Sequence, residues 1–269
     1  QVSAGSQALS QGATEQASAI EQLTTSLADI AAQTRQNAMN ASQATLLGQG
    51  SLTLQAAQLD SHGASVRNVG GQQVAVSGQW DNKAGAWLSA GNSQLAAGQL
   101  LNDQGHLAAH SLQLQVDDTL SNQQGRIVAQ QQASLRSTAL DNHQGLIGSR
   151  QDVTVQTGAL RNAGGRIEAA GKAHLRTQAV DNRQGTMVAG SIQLDSLGQL
   201  LDNQQGTLQA ASSLQVHSGE LDNRSGQIAA GSQLSLDTAG NPLRNGNTLG
   251  QGGITSQGEL ALVAGMLDN

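Results

Sequence analysis

The sequence repeats a short motif about every twenty residues between Trp80 and Asp237. In each copy an apolar residue is followed by a spacer, Asn, two variable residues and Gly, as in Leu140-Asp-Asn-His-Gln-Gly145. The asparagines are Asn82, Asn102, Asn122, Asn142, Asn162, Asn182, Asn203 and Asn223, and the glycines are Gly85, Gly105, Gly125, Gly145, Gly165, Gly185, Gly206 and Gly226. A fixed period of this length, with one turn motif per period, is typical of solenoid proteins. Each coil of a solenoid contacts mainly its neighbours, so function is expected on an extended surface rather than in one pocket.

Alignment of the copies on their Asn predicts which positions face the core. Apolar residues lie two positions before the Asn and five after it, a small residue lies seven after it, and a second alternating pair follows, such as Val153 and Val155. This alternation is the period of strands with one buried face. The sequence predicts an all-β fold, a right-handed parallel β-helix. About eleven coils stacked at roughly 4.8 Å each give a rod on the order of 50 Å long.

The turn residues suggest how each coil closes. Asn tolerates a left-handed backbone, and the Gly three residues later is expected to supply a positive φ. Stacked coils would place Asn over Asn, which allows a ladder of side-chain amides. Ser61 occupies the Asn position of a degenerate first turn, and the pattern becomes irregular after residue 238, where Pro242 fits a loop or an irregular coil. The acids that precede Asn, such as Asp141, are expected to face water.

Composition agrees with a narrow stacked core. Only 37% of the 269 residues are apolar and 1% are aromatic, which would suggest disorder in an aperiodic chain. Trp80 and Trp87 fall at core positions, so we expect them to be buried rather than to form an exposed sugar platform. The net charge is −6 and the 13 Lys and Arg are scattered, which predicts no nucleic-acid partner. No apolar run is long enough to span a bilayer.

No group of residues in the sequence converges on a catalytic chemistry. His106 and His110 are four residues apart and share only a strand face, so the pair does not predict a metal site. The turn acids lack the Gly-Gly-x-Gly-x-Asp spacing of calcium-binding rolls. A β-helical polysaccharide lyase would need clustered Asp, Lys and Arg on one strand face. We therefore expect a protein that is not an enzyme and has no cofactor and no metal.

The first 45 residues follow a different, helical pattern. Ile20, Leu23, Leu27 and Ile30 are spaced as in a coiled-coil seam, which predicts an amphipathic α-helix over residues 1–45 ahead of a β-helical domain over 46–269. Such a helix is marginal alone and needs a partner along its seam. It is a candidate for self-association.

Part of this segment resembles the signalling region of bacterial methyl-accepting chemotaxis proteins. The matching stretch runs from Val2-Ser-Ala-Gly-Ser-Gln-Ala-Leu to Gln36-Asn-Ala-Met-Asn40, about a sixth of the chain. In that family a Glu/Gln pair among small residues is methylated, and Glu21 with Gln22 fits that motif. The resemblance implies that these two residues are candidate methylation sites. A plain helix that caps the repeats or mediates oligomerisation is the favoured alternative, and a fusion of two unrelated segments also fits.

The repeat Leu-Asp-Asn-x-x-Gly-x-Ile-x-Ala resembles the haemagglutinin repeats of filamentous haemagglutinins over residues 46–269. These are large exoproteins of two-partner secretion, and they include the stalks of contact-dependent growth inhibition systems. The resemblance implies a non-enzymatic stalk of a secreted or cell-surface adhesin. Its partners would be an outer-membrane transporter during secretion and a host or neighbouring-cell surface. The alternative is a chemoreceptor-like signalling helix fused to a repeat scaffold. Because the sequence begins at Gln1 without a signal peptide, we interpret it as a fragment.

Overall fold

A computed structural model describes residues 38–248 and 252–269. The expected N-terminal helix spans residues 1–45. Its first 37 residues, with the candidate methylation sites Glu21 and Gln22, lie outside the described ranges. Residues 38–40 form a strand, so β-structure begins ahead of the boundary expected at residue 46.

Residues 38–248 and 252–269 contain thirty strands, which lie on three faces of a coil. Face 1 follows the Asn corner and contains β2 (Thr45–Gly48), β5 (Ser65–Asn68), β7 (Ala86–Ser89), β9 (His106–Ala109), β12 (Arg126–Ala129), β15 (Leu146–Ser149), β22 (Thr207–Ala210), β25 (Gln227–Ala230) and β28 (Gly253–Ser256). Face 2 contains β3 (Leu52–Ala56), β10 (Leu112–Val116), β13 (Gln132–Arg136), β16 (Asp152–Gln156), β23 (Ser213–His217), β26 (Gln233–Asp237) and β29 (Glu259–Val263). Face 3 contains β1 (Ala38–Asn40), β4 (Gln58–Asp60), β11 (Thr119–Ser121), β14 (Ala139–Asp141), β17 (Ala159–Arg161), β19 (Val180–Asp181), β21 (Leu201–Asp202), β24 (Leu221–Asp222), β27 (Pro242–Arg244) and β30 (Met266–Asp268).

Four longer strands continue from one face to the next. β6 (Gln72–Asp81) and β8 (Ser93–Leu101) turn from face 2 to face 3, and β18 (Arg166–Arg176) and β20 (Thr186–Asp195) turn from face 1 to face 2. They join the three faces into one sheet that winds around the core.

Each strand pairs in parallel with the strands one coil before and one coil after it. Ile127 lies beside Leu107 on one side and beside Ile147 on the other, so positions one period apart stay on the same side of the sheet. The result is a parallel β-solenoid of about eleven turns. This confirms the all-β fold class and the twenty-residue coil predicted from the sequence; the handedness stays a prediction.

The core is one narrow column of aliphatic side chains along the axis. Leu120, Leu140 and Leu160, two residues before their Asn, are at most 1% exposed. Trp80 and Trp87 are also buried, with ring centroids 4.9 Å apart and planes at 74°, an edge-to-face contact. The core positions read from the sequence are confirmed.

The coils after residue 238 are longer than the rest but stay in the stack. Leu243 is buried beside Leu221 in the neighbouring coil. Pro242 is the first residue of β27 and not part of a loop. A first strand position tolerates proline because the missing N–H costs the ladder least there. Of the two alternatives at Pro242, the loop was wrong and the irregular coil is found.

Candidate functional site: the asparagine corner and the lateral groove

The corner between face 3 and face 1 is built on a ladder of buried asparagine side chains. Each Nδ2 donates a hydrogen bond to the Oδ1 of the Asn in the next coil, at 2.7 Å from Asn82 through to Asn223. The same amide also reaches the carbonyl oxygen of the Gly three residues later, as between Asn142 and Gly145 at 3.2 Å. All eight asparagines are 0% exposed. The ladder therefore satisfies a column of polar groups that has no access to water.

The ladder extends beyond the eight asparagines identified in the sequence. Asn223 donates to Asn245 and Asn245 donates to Asn269, each at 2.7 Å. Sequence reading missed these two because the coils before them are longer than twenty residues. At the other end, Ser61 replaces Asn, and its hydroxyl donates to Asn82 Oδ1 at 3.0 Å.

Ser61 also accepts hydrogen bonds from both tryptophans. The indole Nε1 atoms of Trp80 and Trp87 lie 2.9 and 3.1 Å from the Ser61 Oγ. One hydroxyl therefore joins the ladder to the only two aromatic side chains of the chain.

Replacement of Ser61 by Ala should lower the free energy of unfolding by about 3 kcal/mol, because two buried indole N–H groups lose their acceptor. Urea denaturation followed by tryptophan fluorescence measures this effect, since both fluorophores lie at the site. Ser134→Ala, on the exposed side of face 2, is the control and should change stability by less than about 0.5 kcal/mol. Equal stabilities of the two variants would contradict the assigned role of Ser61.

The turn at this corner uses a positive φ at a position different from the expected ones. The backbone N–H of each Gly donates to the carbonyl of the Asn three residues earlier, at 3.0 Å for Gly145. Positive φ occurs at the residue directly before the Gly, as in Gln124 (φ 54) and Gln144 (φ 53). Neither the ladder asparagines nor their partner glycines adopt it. The sequence-based explanation of this Gly was wrong.

This corner offers a reciprocal test of backbone strain. Ala84 (φ 52) and Gly164 (φ 61) occupy the same turn position, and a Cβ on Gly164 would meet nothing closer than 3.5 Å. Ala84→Gly should raise the free energy of unfolding by about 1 kcal/mol, and Gly164→Ala should lower it by about 1 kcal/mol, because a left-handed residue with a Cβ is strained. Thermal and urea unfolding measure both. Shifts of the same sign would show that strain does not control this position.

The Gly recurs at the same position of successive coils because the neighbouring coil approaches closely there. A Cβ on Gly125, Gly145 or Gly165 would lie 2.1 to 2.2 Å from the backbone oxygen of the Asn one coil earlier, and 2.5 to 2.7 Å from the Oδ1 of its own Asn. Only a residue without a side chain fits between the two asparagines.

The acids before the ladder make backbone contacts instead of only facing water. Oδ1 of Asp141 accepts the backbone N–H of His143 at 3.0 Å, and five other turn acids make the same bond. The side-chain hydrogen bond from Arg183 lowers the pKa of Asp181. Burial alone would raise the pKa of Asp222, but hydrogen bonds from Arg224 lower it overall. Asp222 is only 5% exposed, so the expected water-facing role is wrong at that position, while the other turn acids are partly or fully exposed.

A second polar column, at the corner between face 2 and face 3, was missed in the sequence. It consists of Ser137, Thr157, Thr177, Ser196, Ser218 and Thr238. Thr177 donates to the carbonyl oxygen of Gly158 at 3.0 Å, and Ser137 contacts Thr157 Oγ1 at 3.0 Å. Each member lies two residues after the second core pair, and this inward spacing is the signal that could have identified the column.

A groove runs beside this second corner and parallel to the solenoid axis. Its volume is about 1010 Å³, and its lining includes Asp117, Arg136, Gln156, Arg176 and Leu197. Arg136, Gln156 and Arg176 are exposed and adjacent in register, one per coil. Leu197 projects from a turn with positive φ and closes one end. The groove brings together two cationic side chains that are forty residues apart in the sequence.

Outside the two corners and the groove, His106 is the one titratable group of the described residues that stands out by its burial. Burial, with Arg126 and Arg67 nearby, lowers the pKa of His106, and its Nε2 is the one buried side-chain polar atom without a hydrogen-bond partner in residues 38–248 and 252–269. Within the described part of the chain, no three His, Asp or Glu side chains are grouped so as to hold a metal ion. The described residues also contain no helix with the length and apolar character needed to cross a membrane.

Comparison with known families agrees with this geometry. The haemagglutinin repeat family matches residues 2–84, 69–123, 107–177 and 162–269, which together span nearly the whole chain. The chain belongs to the haemagglutinin repeat family. Members of this family are typically secreted or located at the cell surface. The haemagglutinin repeat match begins at residue 2, within the segment that resembles a chemoreceptor helix, and that second resemblance finds no support. No curated protein and no solved structure matches the chain.

Proposed function

We propose that this haemagglutinin repeat chain is a non-catalytic stalk segment of a secreted or cell-surface adhesin. One observation supports the proposal above the others: the coils from Asn82 onward repeat the same asparagine ladder and aliphatic core, so the residues specify length and stiffness more than a single site. The proposed setting within the family is a two-partner secretion exoprotein, exported through an outer-membrane transporter toward a host or neighbouring cell. A contact-dependent growth inhibition stalk is the narrower form of this proposal.

A spacer should tolerate removal of whole coils. Deletion of residues 122–181 joins Ser121 to Asn182 and removes three ladder positions in register. We expect a folded rod that is shorter by about 14 Å, measured by small-angle X-ray scattering. Deletion of residues 122–171 breaks the period and should disrupt the coils around the junction. A compact scattering profile for the intact chain, or unfolding after the in-register deletion, would overturn the stalk.

Export is tested separately. The chain is placed between the secretion domain of a two-partner secretion exoprotein and a C-terminal epitope tag. We expect antibody to reach the tag on intact cells that carry the matching transporter. A tag that stays inside the cell would contradict the proposed route, and depolymerisation of a glycan by the purified chain would contradict the non-catalytic role.

A further inference from the structure

The groove beside the second corner holds two unpaired cationic side chains in one concavity, Arg136 and Arg176. Arg166, Arg183, Arg224 and Arg244 each lie within ion-pair distance of an acid. Within residues 38–248 and 252–269, no acid lies within that distance of Arg136 or Arg176. Their guanidinium groups also make no hydrogen bond to another described side chain. Two unpaired guanidinium groups in one concavity are well placed to bind an anion.

We propose that the groove over Arg136, Gln156 and Arg176 binds an extended anionic glycan whose carboxylates recur on alternate sugars.

The spacing of the two arginines determines the form of the ligand. Arg136 and Arg176 are separated by one intervening coil, with Gln156 between them in the same column. Two coil intervals place their backbones about 10 Å apart. A straight polymer that lies along the axis and alternates charged with neutral units meets both guanidinium groups, and the neutral unit lies over the amide of Gln156.

The backbone around the groove favours a glycan over a peptide. The N–H groups of Thr138, Gly158 and Gln178 already donate to carbonyl oxygens of adjacent coils. A bound peptide would find no free strand edge with which to pair its own amides, and β-strand addition needs such an edge. Hydroxyl and carboxylate groups of a sugar chain are instead matched by the side chains of Arg, Gln and Thr that line the groove.

Charge limits the site at both ends. Asp117 lies at one end of the lining, and beyond Arg176 the column continues with Asp195, whose Oδ1 accepts the backbone N–H of Leu197 at 2.8 Å. These acids disfavour a ligand with uniform negative charge along its whole length. The site is therefore short and fits a few sugars of a longer chain.

The test uses the full chain and a hyaluronan octasaccharide, in which uronate alternates with a neutral sugar, at near-physiological salt. We expect the double variant Arg136→Glu/Arg176→Glu to weaken binding at least tenfold, measured by titration calorimetry. Arg150→Glu/Arg161→Glu changes the net charge by the same amount outside the groove, and it should weaken binding less than twofold. The same octasaccharide with its carboxylates reduced to alcohols should bind at least tenfold more weakly than the parent.

Several results would overturn the proposal. These are no binding of the octasaccharide, equal losses in the two double variants, equal binding of the reduced sugar, and tighter binding of a polyglutamate peptide or single-stranded DNA of equal charge. The inference rests on the proposed role at the cell surface, and it specifies an anionic glycan as the partner. Scattering and circular dichroism on the same samples separate the two: an intact rod without binding rejects the groove alone, and loss of the rod profile rejects the stalk.

Discussion

Gly145→Ala should lower the free energy of unfolding by at least about 3 kcal/mol. The added Cβ would meet the backbone oxygen of Asn122 at 2.1 Å and Oδ1 of Asn142 at 2.6 Å. Neither atom can move alone, because the Asn122 side chain is fixed in the ladder and its carbonyl oxygen accepts the N–H of Gly125. The two coils must therefore separate locally, which weakens the hydrogen bonds between them. Urea denaturation and amide hydrogen exchange of the neighbouring strands measure the effect.

Gly148→Ala is the matched control in the same coil. The nearest atoms to a Cβ on Gly148 are 3.8 to 3.9 Å away, which is ordinary van der Waals contact. Neither glycine adopts a positive φ, so the pair isolates close approach from backbone conformation. We expect a change of less than about 1 kcal/mol at Gly148. Similar losses at both positions would mean that the effect comes from losing glycine in general and not from contact with the ladder.

The sequence located the corner glycines correctly but explained them wrongly, and the cause is physical. A recurring Gly is required either by a positive φ or by a nearby atom, and a periodic sequence cannot distinguish the two. The choice depends on the distance between coils, which only the structure provides. The residue that does adopt the positive φ is often Gln, as at Gln124. Exposed Gln gave no sequence signal of a left-handed backbone.

Core positions were predictable because the period of two on each strand fixes which side chains point inward. Asn245 and Asn269 were missed as ladder members, since their coils contain extra residues. The ladder requires only that the chain return to the same corner. The additional residues around Leu197 and those before Asn245 lie at the second corner, and those before Asn269 lie between Asn245 and Gly253. A strict search for a twenty-residue spacing therefore underestimates the length of the stack.

The lateral groove was not predictable from the repeat. The register of Arg136, Gln156 and Arg176 could be read from the alignment, because each is at the same position of its coil. The concavity of the groove could not be predicted from the alignment. It depends on how the second corner projects and on the turn that places Leu197 at one end. The charge of Arg136 looked like one of thirteen scattered cations. Arg136 is distinguished by its place in the groove, with Arg176 two coils away in the same column.

Asn142→Ala should lower the free energy of unfolding by about 3 kcal/mol. Asn142 lies in the middle of the ladder and is 0% exposed. Its loss removes the hydrogen bonds from Asn122 Nδ2 and to Asn162 Oδ1, each 2.7 Å long. Asn162 Oδ1 then becomes a buried acceptor without its donor, which costs more than the net value of one exchanged hydrogen bond. Because a solenoid unfolds by neighbouring units, hydrogen exchange should show the largest loss of protection in the adjacent coils.

Two further variants distinguish the ladder from simple packing. Asn142→Leu keeps the number and branching of the side-chain heavy atoms but cannot make the hydrogen bonds, so we expect a loss at least as large as that of Ala. Gln144→Ala removes the exposed bond between Gln124 and Gln144, 3.2 Å long, and should cost less than about 0.5 kcal/mol. If the Leu variant were as stable as the original chain, the asparagines would serve only to fill space. A loss in both Asn142→Ala and Asn142→Leu, with none in Gln144→Ala, would assign the stability of the solenoid to buried amide pairing. This pairing holds each coil in register with the next.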